Sequence, residues 1–203
     1  MIKNRLKKVA LGLVLTASTL MAVDMDDYEF QANSLVGIEG GYSSLGYEYG
    51  TPSNNSINSV GLANMGLKLG AETKDFRVFL SGRYYYDSSA MHDYIVTYGA
   101  EIQYKFNVTK GFNVYMGANG GIANMAFRAA GESFTRTISD PYFGGDLGVN
   151  IHLGKSVDWE LGGRVMSIQA DNSKKDSTGV LKTYHVNQIV SAYTSIIFKW
   201  NME

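Results

Sequence analysis

The chain has 203 residues, 45% of them hydrophobic, 12% aromatic and 18% charged, which is enough for one domain with a large buried surface. Its 23 glycines and 2 prolines point to strands and turns and away from a helical bundle. A formal net charge of −1 gives no electrostatic basis for a nucleic-acid partner, and the absence of cysteine removes disulfides and thiolate metal sites.

The first stretch, MIKNRLKKVALGLVLTASTLMA, carries Lys3, Arg5, Lys7 and Lys8, then an apolar run from Val9 to Leu15, then small residues up to Ala22. This is the layout of a secretory signal peptide, expected over residues 1–22 with cleavage after Ala22. A transmembrane anchor is disfavoured because the uncharged run is short for a span of ~20 residues. Removing the four basic residues takes the charge from −1 to −5. No later stretch is apolar for ~20 residues, which excludes a helical membrane protein. Residues 23–203 are expected to form a single domain.

Eight segments of that domain alternate with a period of two, the signature of a strand whose successive side chains point to opposite faces. The first runs near Leu35 to Tyr49. The second, near Asn58 to Ala71, sets Met65, Leu67, Leu69 and Ala71 against Gly66, Lys68 and Gly70. The third sets Phe76, Val78, Leu80, Tyr84 and Tyr86 against Arg77, Ser81 and Arg83. The fourth, YIVTYGAEIQYKFNV, is the clearest: Tyr94, Val96, Tyr98, Ala100, Ile102, Tyr104, Phe106 and Val108 face one way, with Glu101, Gln103 and Lys105 opposite. The fifth places Phe112, Val114, Met116, Ala118 and Ile122 on one face, amid glycines on both. The sixth sets Phe143, Leu147, Val149, Ile151 and Leu153 against Asp146, Asn150 and His152. The seventh sets Val157, Trp159, Leu161 and Val165 against Asp158, Glu160 and Arg164. The eighth sets Val190, Ala192, Ile196, Phe198 and Trp200 against Ser191, Tyr193, Ser195 and Lys199.

The connections alternate in length. ETKD, TKG and GKS are tight turns, whereas GTPSNNSI, SSAMHD, RAAGESFTRT and DNSKKDSTGVLKT are longer and polar. If GKS is a turn centred on Lys155, facing residues of the sixth and seventh segments sum to 310. That register pairs Leu153 with Val157, Ile151 with Trp159 and Val149 with Leu161 on one face, and His152 with Asp158, Asn150 with Glu160 and Asp146 with Arg164 on the other.

The apolar faces hold almost no charge, while Glu39, Lys68, Arg77, Arg83, Glu101, Lys105, Asp146, Asp158, Glu160, Arg164 and Lys199 share the opposite faces. A soluble barrel would turn the apolar faces inward and a membrane barrel would turn them outward. Strand length favours the membrane, since a tilted span needs ~9–11 residues. So do the aromatics at the strand ends. Trp159, Phe198, Trp200, Phe106, Phe112 and Phe76 gather at the short-turn end, and Tyr47, Tyr49, Tyr84, Tyr86, Tyr94 and Tyr184 at the other.

In this layout of signal peptide, eight alternating strands, tight turns and longer loops, and a last strand ending in aromatics, the chain resembles the small outer-membrane barrels of the opacity and OmpA-transmembrane-domain kind over positions 30 to 200. The resemblance implies an all-β fold, an eight-stranded antiparallel up-and-down barrel in the cell outer membrane, with the short turns and both termini on the periplasmic side. It implies lipid and lipopolysaccharide neighbours, and periplasmic chaperones and the barrel-assembly machinery as partners during biogenesis. The chain continues past Trp200 with Asn201, Met202 and Glu203, and no second domain is expected after the eighth strand.

Some small outer-membrane barrels resemble this one and are enzymes that act on lipid A, using a His beside a Ser, Asp or Glu. His92 is next to Asp93 but no serine is tied to it by spacing, so a solvated loop histidine is the plainer reading. His152 belongs beside a periplasmic turn, and His185 at the outer start of the eighth strand lacks a His-x-Ser motif. Three isolated histidines make no metal cluster, and the Gly144 to Gly148 stretch falls inside a strand, where it makes no phosphate loop. Arg128, Arg136, Lys174, Lys175 and Lys182 in the longer connections suit lipopolysaccharide phosphates or a host surface, or are simply solvated. No catalytic, cofactor-binding or metal residue is therefore assigned. The expected role is membrane-structural or surface-interacting, with a narrow ion channel or a lipid A-modifying enzyme as alternatives.

Overall fold

The computed structural model describes residues 32–51, 54–87, 92–128, 135–175 and 179–201; the expected signal peptide lies outside the described residues. Strands β1 (Asn33–Thr51), β2 (Asn54–Glu72), β3 (Phe76–Asp87), β4 (His92–Asn107), β5 (Phe112–Phe127), β6 (Arg136–His152), β7 (Val157–Lys175) and β8 (Leu181–Asn201) take up nearly all of them. Each pairs antiparallel with the next, and β8 closes on β1, so the sheet is a barrel. Closure leaves no strand edge unpaired in the lower part of the wall, which is what a sheet surrounded by apolar solvent requires; above it β2 pairs with β1 alone over Asn54–Gly61.

Three tight turns set the register at one end. In two of them a threonine hydroxyl accepts from the backbone three residues on, Thr73 from Phe76 at 3.2 Å and Thr109 from Phe112 at 3.2 Å. The third closes when Leu153 N donates to Val157 O at 3.0 Å. The register that follows pairs Val149 with Leu161, Asn150 with Glu160, Ile151 with Trp159, His152 with Asp158 and Asp146 with Arg164, as the 310 sum requires.

At the opposite end the longer connections expected from the sequence are shorter than they read. Most of GTPSNNSI belongs to the β1–β2 pair, which stays in register from Asn33↔Glu72 to Thr51↔Asn54. Much of DNSKKDSTGVLKT likewise pairs as the ends of β7 and β8. Gly179 carries the chain through that second connection at φ 82°, a conformation that a Cβ would strain.

The two faces of the wall are inverted relative to a soluble barrel. Leu67, Leu69, Leu80, Ile102, Met116, Phe143 and Leu147 point outward and are exposed. Glu39, Lys68, Arg77, Glu101, Asp158, Glu160 and Arg164 point inward and are buried. Phe76, Phe106, Trp159, Phe198 and Trp200 ring the short-turn end on the outside, and Tyr84, Tyr86 and Tyr94 lie on the outside towards the other end. Tyr47, Tyr49 and Tyr184 depart from expectation. Tyr184 is fully buried, and Tyr47 and Tyr49 pack on the interior cluster to which it belongs.

Close packing of the wall depends on small residues at particular positions. Tyr115 of β5 and Tyr193 of β8 meet across the interior, hydroxyl to hydroxyl at 2.8 Å. They pass over Gly162, where an added Cβ would lie 2.3 Å from the Tyr115 hydroxyl and 2.7 Å from that of Tyr193. No side chain fits between them.

Candidate functional site

Among the described residues, ionisable and polar side chains converge in the barrel interior, which is built in two storeys. The lower storey, towards the tight turns, is ionic. Glu39 of β1 sits at its centre, taking hydrogen bonds from Arg164 at 2.8 and 3.1 Å and from Arg83 at 2.8 Å, with the Lys68 ammonium 2.9 Å away. Lys68 also donates to Glu160 at 2.7 Å, and Glu101 pairs with Arg83. Arg77 bridges downward to Glu72, Asp158 and Glu160 at 3.0 to 3.2 Å. Lys105 holds Glu72 at 2.9 Å, and Lys199 holds Asp158 at 2.8 Å.

Six carboxylates (Glu39, Glu72, Glu101, Asp146, Asp158, Glu160) meet six cations (Lys68, Arg77, Arg83, Lys105, Arg164, Lys199), so the storey is neutral as a whole. Neutrality and dense hydrogen bonding are what allow charges to be buried, because an unpaired ion in a dry interior costs several kcal/mol. The alternating faces of the sequence placed eleven of these twelve ions correctly on the inside; Glu72, expected in the ETKD turn, instead ends β2 and is buried. Two of the expected cross-strand pairs find different partners. Asp146 accepts from Gln103 at 2.7 Å and Asn119 at 3.5 Å, while the hydrogen bonds of its facing residue Arg164 go to Glu39. Asn150 donates to Asp158 at 2.9 Å, although it faces Glu160. His152 does meet Asp158, at 2.8 Å.

The upper storey is apolar, and the sequence did not announce it. Leu45, Leu62, Tyr85, Ile95, Met125, Phe127, Ile138, Tyr142, Met166, Ile168, Val186 and Ile189 form one buried cluster inside the wall. A polar lumen is the usual expectation for an outer-membrane barrel. Here the outward face at the same height turns polar, with Glu48, Ser167, Asp171, Asn187 and Gln188 on it, so this part of the barrel packs like a soluble one.

His92 lies at the top of this storey. It is buried, and its Nδ1 meets Asp87 at 2.7 Å while Nε2 meets the Tyr184 hydroxyl at 2.8 Å. Tyr184 is stacked between Phe127, with ring centroids 3.8 Å apart, and Tyr47 at 5.1 Å. The reading of His92 as a solvated loop residue beside Asp93 is therefore corrected. A register shift between His92 and Tyr94 turns its side chain inward. His185 faces outward against Asp171. The three histidines are on separate parts of the wall, each beside its own carboxylate.

No family model matches the chain, and no curated protein matches it. Solved structures do. The crystal structure of Neisserial surface protein A aligns with a TM-score of 0.58 at 15% identity, covering 81% of this chain and 97% of that one. OprG from Pseudomonas aeruginosa aligns with a TM-score of 0.58 at 14% identity, covering 84% and 97%. The outer membrane protein AlkL aligns with a TM-score of 0.51 at 10% identity, covering 89% and 96%. The fold is that of a small outer-membrane β-barrel. Its exposed apolar band then faces lipid, its short turns face the periplasm, and the extended ends of β1, β2, β7 and β8 stand above the outer leaflet. The ionic storey of this outer-membrane barrel lies within the bilayer, and the apolar storey rises from there towards the cell exterior.

Proposed function

We propose that this barrel is a non-conducting, non-catalytic protein of the outer membrane that acts through the surface it raises above the outer leaflet. The observation that carries the reading is the closed lumen. Eight strands enclose a space that side chains can fill, and here, among the described residues, a neutral ionic storey is capped by a buried apolar one, an arrangement that opposes the passage of an ion. Catalysis is disfavoured because both ring nitrogens of His92 are engaged, by Asp87 and Tyr184, inside the wall. The outward ends carry Arg128 and Lys175 on exposed positions, suited to phosphate groups of lipopolysaccharide or an anionic host surface.

Planar-bilayer recording of the refolded barrel tests the closed lumen, and the expectation is a silent bilayer. Stable unitary currents, or sugar entry into liposomes at general-porin rates, would replace this reading with a channel. Mass spectrometry of lipid A from cells with and without the protein tests the absence of catalysis, with identical spectra expected. Retention on immobilised lipopolysaccharide, weakened in Arg128→Gln/Lys175→Gln, tests the surface role.

A further inference from the structure

The periplasmic rim carries a feature that the outward-acting role does not use. Each of the three tight turns has one lysine at its tip: Lys74 in Thr73–Asp75, Lys110 in Thr109–Gly111 and Lys155 in Gly154–Ser156. All three are exposed, and among the described residues none of the three ammonium groups has a hydrogen-bond or ion-pair partner. The turns hold one acid, Asp75, which accepts from Asn107 at 3.3 Å. Among the described residues, three cations less one carboxylate leave the three turns at +2, and the neutral storey above supplies no compensating charge.

Directly above these tips lies the outward aromatic ring, with Trp200 at 51% exposure. A cleft of about 510 Å³ opens between the two chemistries, lined by Asn33, Lys155, Ser156, Lys199, Trp200 and Asn201. One side of it is apolar indole at the level of the headgroups, and the other is ammonium and amide. Its frame is fixed because Lys199 N donates to Ser156 O at 2.9 Å, tying the turn to β8. A ligand that satisfies this arrangement is amphipathic and anionic, with a phosphate for the lysines and acyl chains for the aromatic wall.

We propose that the periplasmic rim binds anionic phospholipid of the inner leaflet, with the Lys155–Trp200 cleft seating one headgroup and Lys74 and Lys110 extending the attraction around the rim. The site is at the opposite end from the proposed outward surface, and does not depend on it.

The test is native mass spectrometry of the refolded barrel released from vesicles of phosphatidylcholine mixed with phosphatidylglycerol. Phosphatidylglycerol should be retained in preference, and Lys155→Gln should reduce that preference about fivefold, the factor for ~1 kcal/mol per basic residue near an anionic surface. Lys74→Gln/Lys110→Gln/Lys155→Gln should abolish it while heat-modifiable gel mobility stays unchanged. Lys175→Gln, at the far end, should leave the preference intact, and inorganic phosphate should displace no more lipid than chloride at equal ionic strength. Equal retention of both lipids by the unaltered barrel would overturn the proposal. So would specific displacement by phosphate, which would make the cleft a free-anion site. Preference that emerges only in Asp24→Asn/Asp26→Asn/Asp27→Asn would overturn it too, by assigning the rim to the chain's own acidic stretch.

Discussion

Glu39 is the residue whose loss the ionic storey should tolerate least. Its carboxylate faces three cations, Lys68, Arg83 and Arg164, each within 2.9 Å. Glu39→Ala leaves the storey with six cations against five carboxylates, one uncompensated charge inside a dry wall. Breaking a buried pair by removing one partner costs about 3–5 kcal/mol. The remaining carboxylates soften this, since Glu101 still pairs Arg83 and Glu160 still holds Lys68 at 2.7 Å. The lower end, about 3 kcal/mol, is the expectation. Removing Arg164 as well restores neutrality, so Glu39→Ala/Arg164→Ala should be less harmful than the sum of the single changes, with a coupling of about 1–3 kcal/mol. The assay is urea unfolding in lipid vesicles followed by the fluorescence of Trp159 and Trp200, both on the lipid side of the wall. Glu48→Ala, at an outward position above the apolar band, serves as the control. If Glu39→Ala is as mild as Glu48→Ala, or the double change is strictly additive, the network does not hold the barrel as described.

Three further changes probe separate parts of the wall. Ile102→Arg puts a guanidinium on a position 53% exposed to lipid and should destabilise the barrel by about 2–4 kcal/mol near the midplane, with a milder effect for Ser167→Arg, outward but above the apolar band; equal tolerance at the two positions in unfolding titrations would contradict a lipid-facing band at Ile102. Gly162→Ala drives a Cβ into the Tyr115 and Tyr193 hydroxyls and should cost about 1–3 kcal/mol as overpacking, whereas Gly163→Ala, whose nearest neighbour would be 3.7 Å away, should be tolerated in the same titration. His92→Ala removes one hydrogen bond each from Asp87 and Tyr184 and should cost about 1–3 kcal/mol, while His185→Ala, half-buried on the outward face, should have little effect; the reverse order would restore the loop reading of His92.

Much of this could be read in the sequence because the period of two fixes which face a residue shares. Once Glu101, Gln103 and Lys105 are set against Ile102, Tyr104 and Phe106, a single assignment decides the whole strand. The short GKS turn then fixed the β6–β7 register residue by residue. Parity fails where the chain bulges. Asn187 is an extra residue of β8 opposite the step from Gly46 to Tyr47, so Tyr184 falls inside although Val190 and Ala192, also at even positions, are outside. The same device at Asp93 buries His92. Tyr47 and Tyr49 were open to a correct reading, since they share the parity of Glu39. An aromatic at a strand end nevertheless reads as a member of an interfacial belt, and only the height of the apolar band reveals that these two stand above it. The partner choice of Asp146 was not legible, because a carboxylate selects among donors from several strands across the lumen and the sequence orders only the adjacent ones.

The inverted wall is tested most directly by its solvent. The chain has no cysteine, so single cysteines placed in turn from position 96 to position 106 can carry a nitroxide label without background. In lipid vesicles, collision with oxygen dissolved in the bilayer should be high at the even positions, Val96 through Phe106, and low at the odd positions, Thr97 through Lys105. The opposite phase, or a profile with no alternation, would contradict a barrel that turns its apolar face to lipid.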